Sequence, residues 1–343
     1  MIRRGTPGDR AAGALVGLAL GDAIGTTLEF LPRDTYPALE NLAGGGPFNR
    51  RPGEWTDDTA LALALADSLI KCGRIDERDL LRRFTDWWQN GTYSCVGVCD
   101  DIGLTTRAAL ERWVATSDPQ PGSAHPQSAG NGSLMRLAPV AIKFWHDRSA
   151  LRDAAARQSR TTHAAAEAVD ACIGFAEILA DAIAGKGREE VLASRKLNLA
   201  AKVQNVLAGS WHGKSRDAIS SSGYVVHTLE AALWCVGRTS AFEDAVLMAA
   251  NLGEDADTTA AVTGQLAGAL YGYRAIPVHL TSRLAWGEYI RQAAASVLAP
   301  APAPNPPSTS CLPTPQRPLR RTHRSPRPES GSTKGAGFDE NGP

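Results

Sequence analysis

Glycine recurs at every fourth position in two distant segments of this chain. Gly13, Gly17, Gly21 and Gly25 form one set, and Gly264, Gly268 and Gly272 the other. A spacing of four keeps residues on one face of an α-helix. Each glycine weakens a helix by up to about 1 kcal/mol relative to alanine, so a whole stripe calls for a compensating contact. The contact that glycine alone permits is the close approach of a second backbone along that face. The alternative is chance placement in a chain that holds 33 glycines.

The surrounding sequence is helical in character. Ala, Leu, Glu and Arg recur at helical spacing over most of residues 9–297, and few segments alternate with period two. The spacing predicts helices near 9–25, 58–72, 76–90, 101–116, 134–145, 149–157, 163–185, 188–208, 224–236, 241–250, 257–272 and 281–297. The expected fold class is all-α. With 343 residues, 43% of them hydrophobic and 21% charged, the chain can bury an ample core. Two loop-rich stretches interrupt the helices, 31–55 and 115–129, and long loops of this kind often carry function.

From residue 298 onward the composition changes. Eleven of the 21 prolines fall there, with Arg317, Arg320, Arg321, Arg324 and Arg327 among them. Residues 1–297 are therefore expected to form the folded domain and 298–343 a Pro/Arg-rich disordered tail. The formal net charge is zero, which gives no reason to expect general nucleic-acid or membrane binding. The apolar run 11–21 stops at Asp22, too short to cross a bilayer, and it flows into a polar motif instead of a cleavage site. Six cysteines are scattered without a CxxC pair. They read as free thiols, and the cytoplasm is the expected location.

Chemistry concentrates in two acidic motifs. Thr56-Asp57-Asp58-Thr59 and Asp255-Ala256-Asp257-Thr258 each open an Ala-rich helix. One acid at a helix start is ordinary, because it caps amides and faces the helix dipole. Two acids flanked by threonine exceed that need, and carboxylate plus hydroxyl oxygens suit hard divalent cations. Glu29 is a further candidate, with a solvated charge at a helix end as its plainer reading. If the fold gathers Glu29, Asp57, Asp58, Asp255 and Asp257 into one cleft, their repulsion demands protons or cations. Two Mg2+ or Mn2+ ions nearly neutralise the five, and one ion does not. A pair about 3.5–4 Å apart is the expected arrangement, with one Asp bridging.

Gly130-Asn131-Gly132-Ser133 reads either as an ordinary turn or as a loop whose amides approach an anionic ligand. It is not a P-loop, since the Lys-Ser/Thr ending is missing. His163 stands at an expected helix start with no His-x3-His partner for zinc. Tyr224 is either a stacking surface for a base or a core aromatic. No Gly-x-Ser-x-Gly elbow supports a Ser/His/Asp set.

Six segments in order, GALVGLALGDAIGTTLEF, GEWTDDTALALALADSL, GNGSLMRLAPVA, SRTTHAAAEAVDA, SSGYVVHTLEAALW and NLGEDADTTAAVTGQLAGALYG, resemble the ADP-ribosylglycohydrolase family across roughly residues 10–280. The resemblance implies a compact, orthogonal multi-helix bundle with a dinuclear Mg2+ or Mn2+ centre. It implies that Thr56, Asp57 and Asp58 bind one ion, that Asp255 and Thr258 bind the other, and that Asp257 is shared. Glu29 matches the family's mobile glutamate, 130–133 the segment that cradles ADP-ribose, and His163 and Tyr224 residues lining the ligand. Glu254 stands where the family often has Asp. The tail has no family counterpart.

The implied activity is hydrolysis of the bond between ribose C1 and a guanidinium nitrogen of ADP-ribosylated arginine in a protein, releasing ADP-ribose. Asp57, Asp58 and Glu29 all remain candidates for activating the water. Other readings are release from serine or O-acetyl linkages, a non-catalytic ADP-ribose-binding or structural member, and a dinuclear phosphohydrolase. A regulatory protein partner is left open.

Overall fold

The computed structural model describes residues 3–300. The expectation of a disordered tail falls, from residue 301 onward, outside the described residues. Fourteen α-helices occur among those described, with isolated β-bridges and no strand. In chain order they are α1 (Pro7–Gly25), α2 (Asp57–Cys72), α3 (Glu77–Asn90), α4 (Leu104–Thr116), α5 (Ala138–Phe144), α6 (Arg148–Arg160) and α7 (Ala166–Ala184). Then follow α8 (Arg188–Val191), α9 (Ala201–Leu207), α10 (Val225–Arg238), α11 (Phe242–Ala250), α12 (Ala256–Tyr271), α13 (Val278–Thr281) and α14 (Gly287–Leu298). The all-α expectation agrees with this.

The two glycine stripes meet each other. A Cβ added to Gly13, Gly17 or Gly21 would fall well inside van der Waals contact with the carbonyls of Gly268, Gly264 and Ala260. The reverse holds for Gly264 against Gly17 and Gly268 against Gly13. α1 and α12 thus pack backbone against backbone along their length. Both are buried on nearly every face, so apolar and small residues run all round them. The other helices wrap this pair, with α11, α14, α10 and α7 against one or both members.

Three expected helices differ from those observed, each for a local reason. The segment 188–208 divides into α8 and α9. The intervening backbone is drawn off by side chains: Leu197 N–H donates to Gln204 Oε1 (2.7 Å) and Ala200 N–H to Asp170 Oδ2 (2.6 Å). The expected helix 281–297 starts only at Gly287 (α14), because Ala285 is gripped by residues 53–55 (Ala285 N–H to Gly53 O, 2.9 Å; Trp55 Nε1–H to Ala285 O, 3.0 Å). Trp286 then turns through the left-handed region at φ 56°. α5 starts at Ala138, with Pro139 in its first turn, where a missing N–H does no harm.

Candidate metal centre

α2 begins under the control of α1. Asp22 is fully buried in α1 and its carboxylate accepts four hydrogen bonds: from Thr56 N–H and Oγ1 (both 2.8 Å) and from Thr59 N–H (3.0 Å) and Oγ1 (2.6 Å). An acid from a different helix therefore satisfies amides that a capping side chain ordinarily would, and Thr56 makes no cap bond of its own. The first turn of α2 is held rigid with Asp57 and Asp58 projecting from it.

α12 delivers the second motif to the same place. The glycine stripe ends at Gly25, where an added Cβ would lie 2.5 Å from the Cα of Asp257. Thr56 Oγ1 lies 3.3 Å from Asp257 Oδ2, and Thr258 Oγ1 lies 3.5 Å from Asp58 Oδ2. Residues some two hundred positions apart thus share one polar chamber. Oxygens of Asp22, Asp58 and Asp257 lie within 4.8 Å of one another, and so do oxygens of Glu29, Asp101 and Asp257. Asp257 is common to both groups. Asp57 neighbours Asp101, and Asp255 Oδ2 accepts from Asn131 Nδ2 at 2.6 Å.

The chamber is strongly anionic. Among the described residues none of these seven carboxylates pairs with a Lys or Arg side chain. Burial pushes the Glu29 carboxyl up to about 12, with Asp257, Asp101, Asp57 and Asp255 adding repulsion. Burial, followed by neighbouring aspartates, also raises Asp57, Asp58 and Asp257 well above the carboxylate range. Asp101 is pushed up to about 6, first by burial and then by Asp22 and Asp255. Glu29 Oε2 and Asp58 Oδ1 are buried without any hydrogen-bond partner. Carboxyl oxygens orphaned in this way are costly unless a proton or a cation meets them. All the donors are carboxylate or hydroxyl oxygens, with no His or Cys among them, so the set fits hard divalent cations.

Loops around the chamber are tied to it and to each other. The 28–31 and 253–255 turns exchange Phe30 N–H to Glu254 O (2.7 Å) and Glu254 N–H to Leu31 O (2.8 Å), with Phe30 and Glu254 both at positive φ. Phe30 meets Phe48 edge-on at 6.3 Å, Arg50 lies over the Phe48 ring at 5.6 Å, and Arg50 Nη2 bonds Asp100 Oδ1 at 2.7 Å. This chain of contacts links the loop bearing Glu29 to the loop bearing Asp101.

The 130–133 segment pairs with 223–225. Asn131 N–H donates to Gly223 O (3.1 Å) and Val225 N–H to Ala129 O (3.0 Å), while Gly130 and Tyr224 form an antiparallel bridge. Asn131 is a strut, its amide spanning Asp255 and Thr228. The Ser133 hydroxyl faces the core, 2.8 Å from Ser159 Oγ. His163 does not begin a helix, as its sequence position suggested. It sits in the turn between α6 and α7, buried behind the loop, and Gly130 and Gly132 leave room for its ring. Tyr224 is half-buried, its hydroxyl donating to Glu167 Oε2 and its ring under Lys202 Nζ at 5.2 Å.

Two members of the chamber escaped the sequence reading. Asp22 carries a signal, a lone acid inside an apolar helical run, but in the sequence alone it marks only the end of that run. Asp101 follows Asp100 just ahead of a helix, as Asp58 follows Asp57, yet it lacks flanking threonines.

Comparison with known proteins gives a concordant picture. A family model described as ADP-ribosylglycohydrolase matches residues 3–306. The chain is 47% identical over 294 residues to the ADP-ribosylarginine hydrolase Tri1 of Pseudomonas putida, covering 86% of this chain and 79% of that one. Against the Tri1 of Serratia proteamaculans it is 46% identical, covering 86% and 80%. It is 33% identical to the dinitrogen-reductase ADP-ribosyl glycohydrolase of Rhodospirillum rubrum, covering 80% and 90%. A solved structure titled ADP-ribosylglycohydrolase-related protein complex superposes with a TM-score of 0.76 at 40% identity, over 85% of this chain and 98% of the other.

Proposed function

Because the chain belongs to the ADP-ribosylglycohydrolase family, we propose that it is a metal-dependent hydrolase that removes ADP-ribose from modified arginine side chains of proteins. The observation that carries this is the convergence of carboxylate oxygens of Asp58, Glu29 and Asp101 on Asp257 in one chamber, with buried carboxylate oxygens left unsatisfied. The identity to two relatives named ADP-ribosylarginine hydrolases supports arginine as the linkage.

In this reading Thr56, Asp57 and Asp58 would hold one Mg2+ or Mn2+ ion, Asp255 and Thr258 would hold the second, and Asp257 would serve both. Bound there, the cations supply Lewis-acid charge beside the ribose. Asp22 is excluded as a ligand, since both its oxygens are engaged by Thr56 and Thr59; it positions the site. Cleavage breaks the bond between ribose C1 and the guanidinium nitrogen, whose electron pair leaves with a neutral guanidine; water adds to C1, and the proton that it gives up returns to the departed arginine. The carboxylates stabilise the oxocarbenium-like charge that develops on the ring. Asp101 joins Asp57, Asp58 and Glu29 as a candidate to accept the proton of water. It lies with Glu29 and Asp257 in the chamber. The 130–133 loop, His163 and Tyr224 border the place for the rest of ADP-ribose. Free cysteines at Cys72, Cys95, Cys99, Cys172 and Cys235 are in keeping with a reducing, cytoplasmic setting. No helix among the described residues is long and apolar enough to cross a membrane.

The test is incubation of arginine- and serine-ADP-ribosylated proteins with the purified chain, with Mg2+, with Mn2+ and after chelation. The expected result is cation-dependent release from arginine alone, lost in Asp257→Ala. Binding of ADP-ribose with no release under any condition would identify a reader instead of a hydrolase.

A further inference from the structure

Behind the 130–133 loop lies a buried cation that the chemistry above does not use. Arg136 is wholly buried, and among the described residues it has no carboxylate partner. It stacks on Phe84 (4.5 Å) and donates to Gln158 Oε1 and O, to Thr161 Oγ1 (3.3 Å) and to Thr162 Oγ1 (2.8 Å), while Nη1 has no partner. A charge buried without a counter-ion is destabilising. A core position of this size would be filled more stably by an apolar residue, so the arginine calls for another explanation.

The bond to Thr162 supplies one. Arginine only donates, so Thr162 Oγ1 accepts from it. The Thr162 hydroxyl is buried as well, and the only other group that it reaches among the described residues is His163 Nδ1, at 2.8 Å. If Nδ1 carried the proton, the threonine O–H would be left as a buried donor without an acceptor. The hydroxyl therefore donates to Nδ1, and the ring proton resides on Nε2. Burial and the nearby Arg136 also keep the ring neutral, with its value lowered to about 3. Nε2 has no hydrogen-bond partner among the described residues, although His163 is only 3% exposed. It faces the loop: a Cβ on Gly130 would lie 3.3 Å from Nε2, and one on Gly132 would lie 3.1 Å from it.

We propose that Arg136 is a positioning residue which, through the Thr162 hydroxyl, holds His163 in the Nε2–H tautomer as a donor to an oxygen of ADP-ribose on the 130–133 loop. This rests on the functional reading above for its ligand, while the tautomer itself is independent of that reading.

The experiment is nitrogen-15 NMR of the His163 ring, with ADP-ribose and Mn2+ affinities measured on the same samples. The wild type should show Nε2 protonated and Nδ1 as acceptor at pH 7. Thr162→Val and Arg136→Met should each give a mixed or reversed tautomer, about tenfold weaker ADP-ribose binding and unchanged Mn2+ affinity. Thr162→Ser keeps the hydroxyl and should restore the wild-type ring signals. If Arg136→Met does not fold, the two threonine variants decide alone. An Nδ1–H tautomer in the wild type, or unchanged ring signals in Thr162→Val, would overturn the proposal. Failure of the wild type to bind ADP-ribose would overturn the functional reading, and the ring signals would still decide the relay.

Discussion

Asp22 organises the chamber without needing to touch what is bound there. Its four hydrogen bonds fix both threonines that bracket Asp57 and Asp58. Removing the acceptor strands two amides and two hydroxyls in a dry site, at about 1–3 kcal/mol for each group left unpaired. Relief of its own buried charge offsets part of that, since burial raises the Asp22 carboxyl above its ordinary value. Asp22→Ala should therefore lose roughly 3 kcal/mol in urea unfolding and bind Mn2+ at least tenfold more weakly. Wild-type stability in that variant would remove Asp22 from its assigned role.

The raised carboxyls also set a pH dependence. Glu29 is shifted from 4.5 up to about 12 in the cation-free fold. The folded chain thus binds a proton that the unfolded chain has released, so the contribution is fully present below about 4.5 and is lost as pH rises from there toward 12. Cations compete with those protons and become more stabilising as pH rises. The increase in melting temperature given by Mn2+ should accordingly be larger at pH 8 than at pH 6. An equal or smaller increase at pH 8 would contradict the shared chamber.

At the scale of elements, the contact between α1 and α12 inverts the usual effect of a substitution. Alanine normally stabilises a helix by up to about 1 kcal/mol over glycine. At Gly17 or Gly264 the added methyl meets a carbonyl of the opposite helix, and overpacking should destabilise by about 1–3 kcal/mol. Gly25→Ala should in addition weaken cation binding, because its methyl would press on the Asp257 backbone. Gly187, with nothing within 4 Å of its added Cβ, is the control and should stay within about 0.5 kcal/mol. Thermal melts of the four variants check the sign directly.

The elements also show where sequence is informative. The stripes were readable because period four is a local property, and so were Thr56–Asp58 and Asp255–Thr258, whose residue types declare their chemistry wherever they lie. The break inside 188–208 was not readable: Asp170 of α7 and Gln204 of α9 capture amides that helical spacing assigned to a helix. His163 stands outside a helix start for a local reason: its N–H returns to Ser159 O at 2.7 Å and closes the end of α6. The tasks of Asp22, Asp101 and Arg136 exist only through partners distant in the chain, so no local pattern announced them.

The molecule as a whole is arranged around one juxtaposition. α1 and α12, from opposite ends of the folded region, lie in backbone contact and bring Asp22, Glu29, Asp255 and Asp257 together. α2 docks on Asp22 and adds Asp57 and Asp58, and the Phe30, Phe48, Arg50 and Asp100 contacts draw Asp101 to the rim. The most direct test of this arrangement is electron paramagnetic resonance of the chain loaded with Mn2+. The account predicts two ions per chain with an exchange-coupled signal that Asp257→Ala abolishes. A single uncoupled ion in the wild type, or a coupled pair that survives Asp257→Ala, would contradict it.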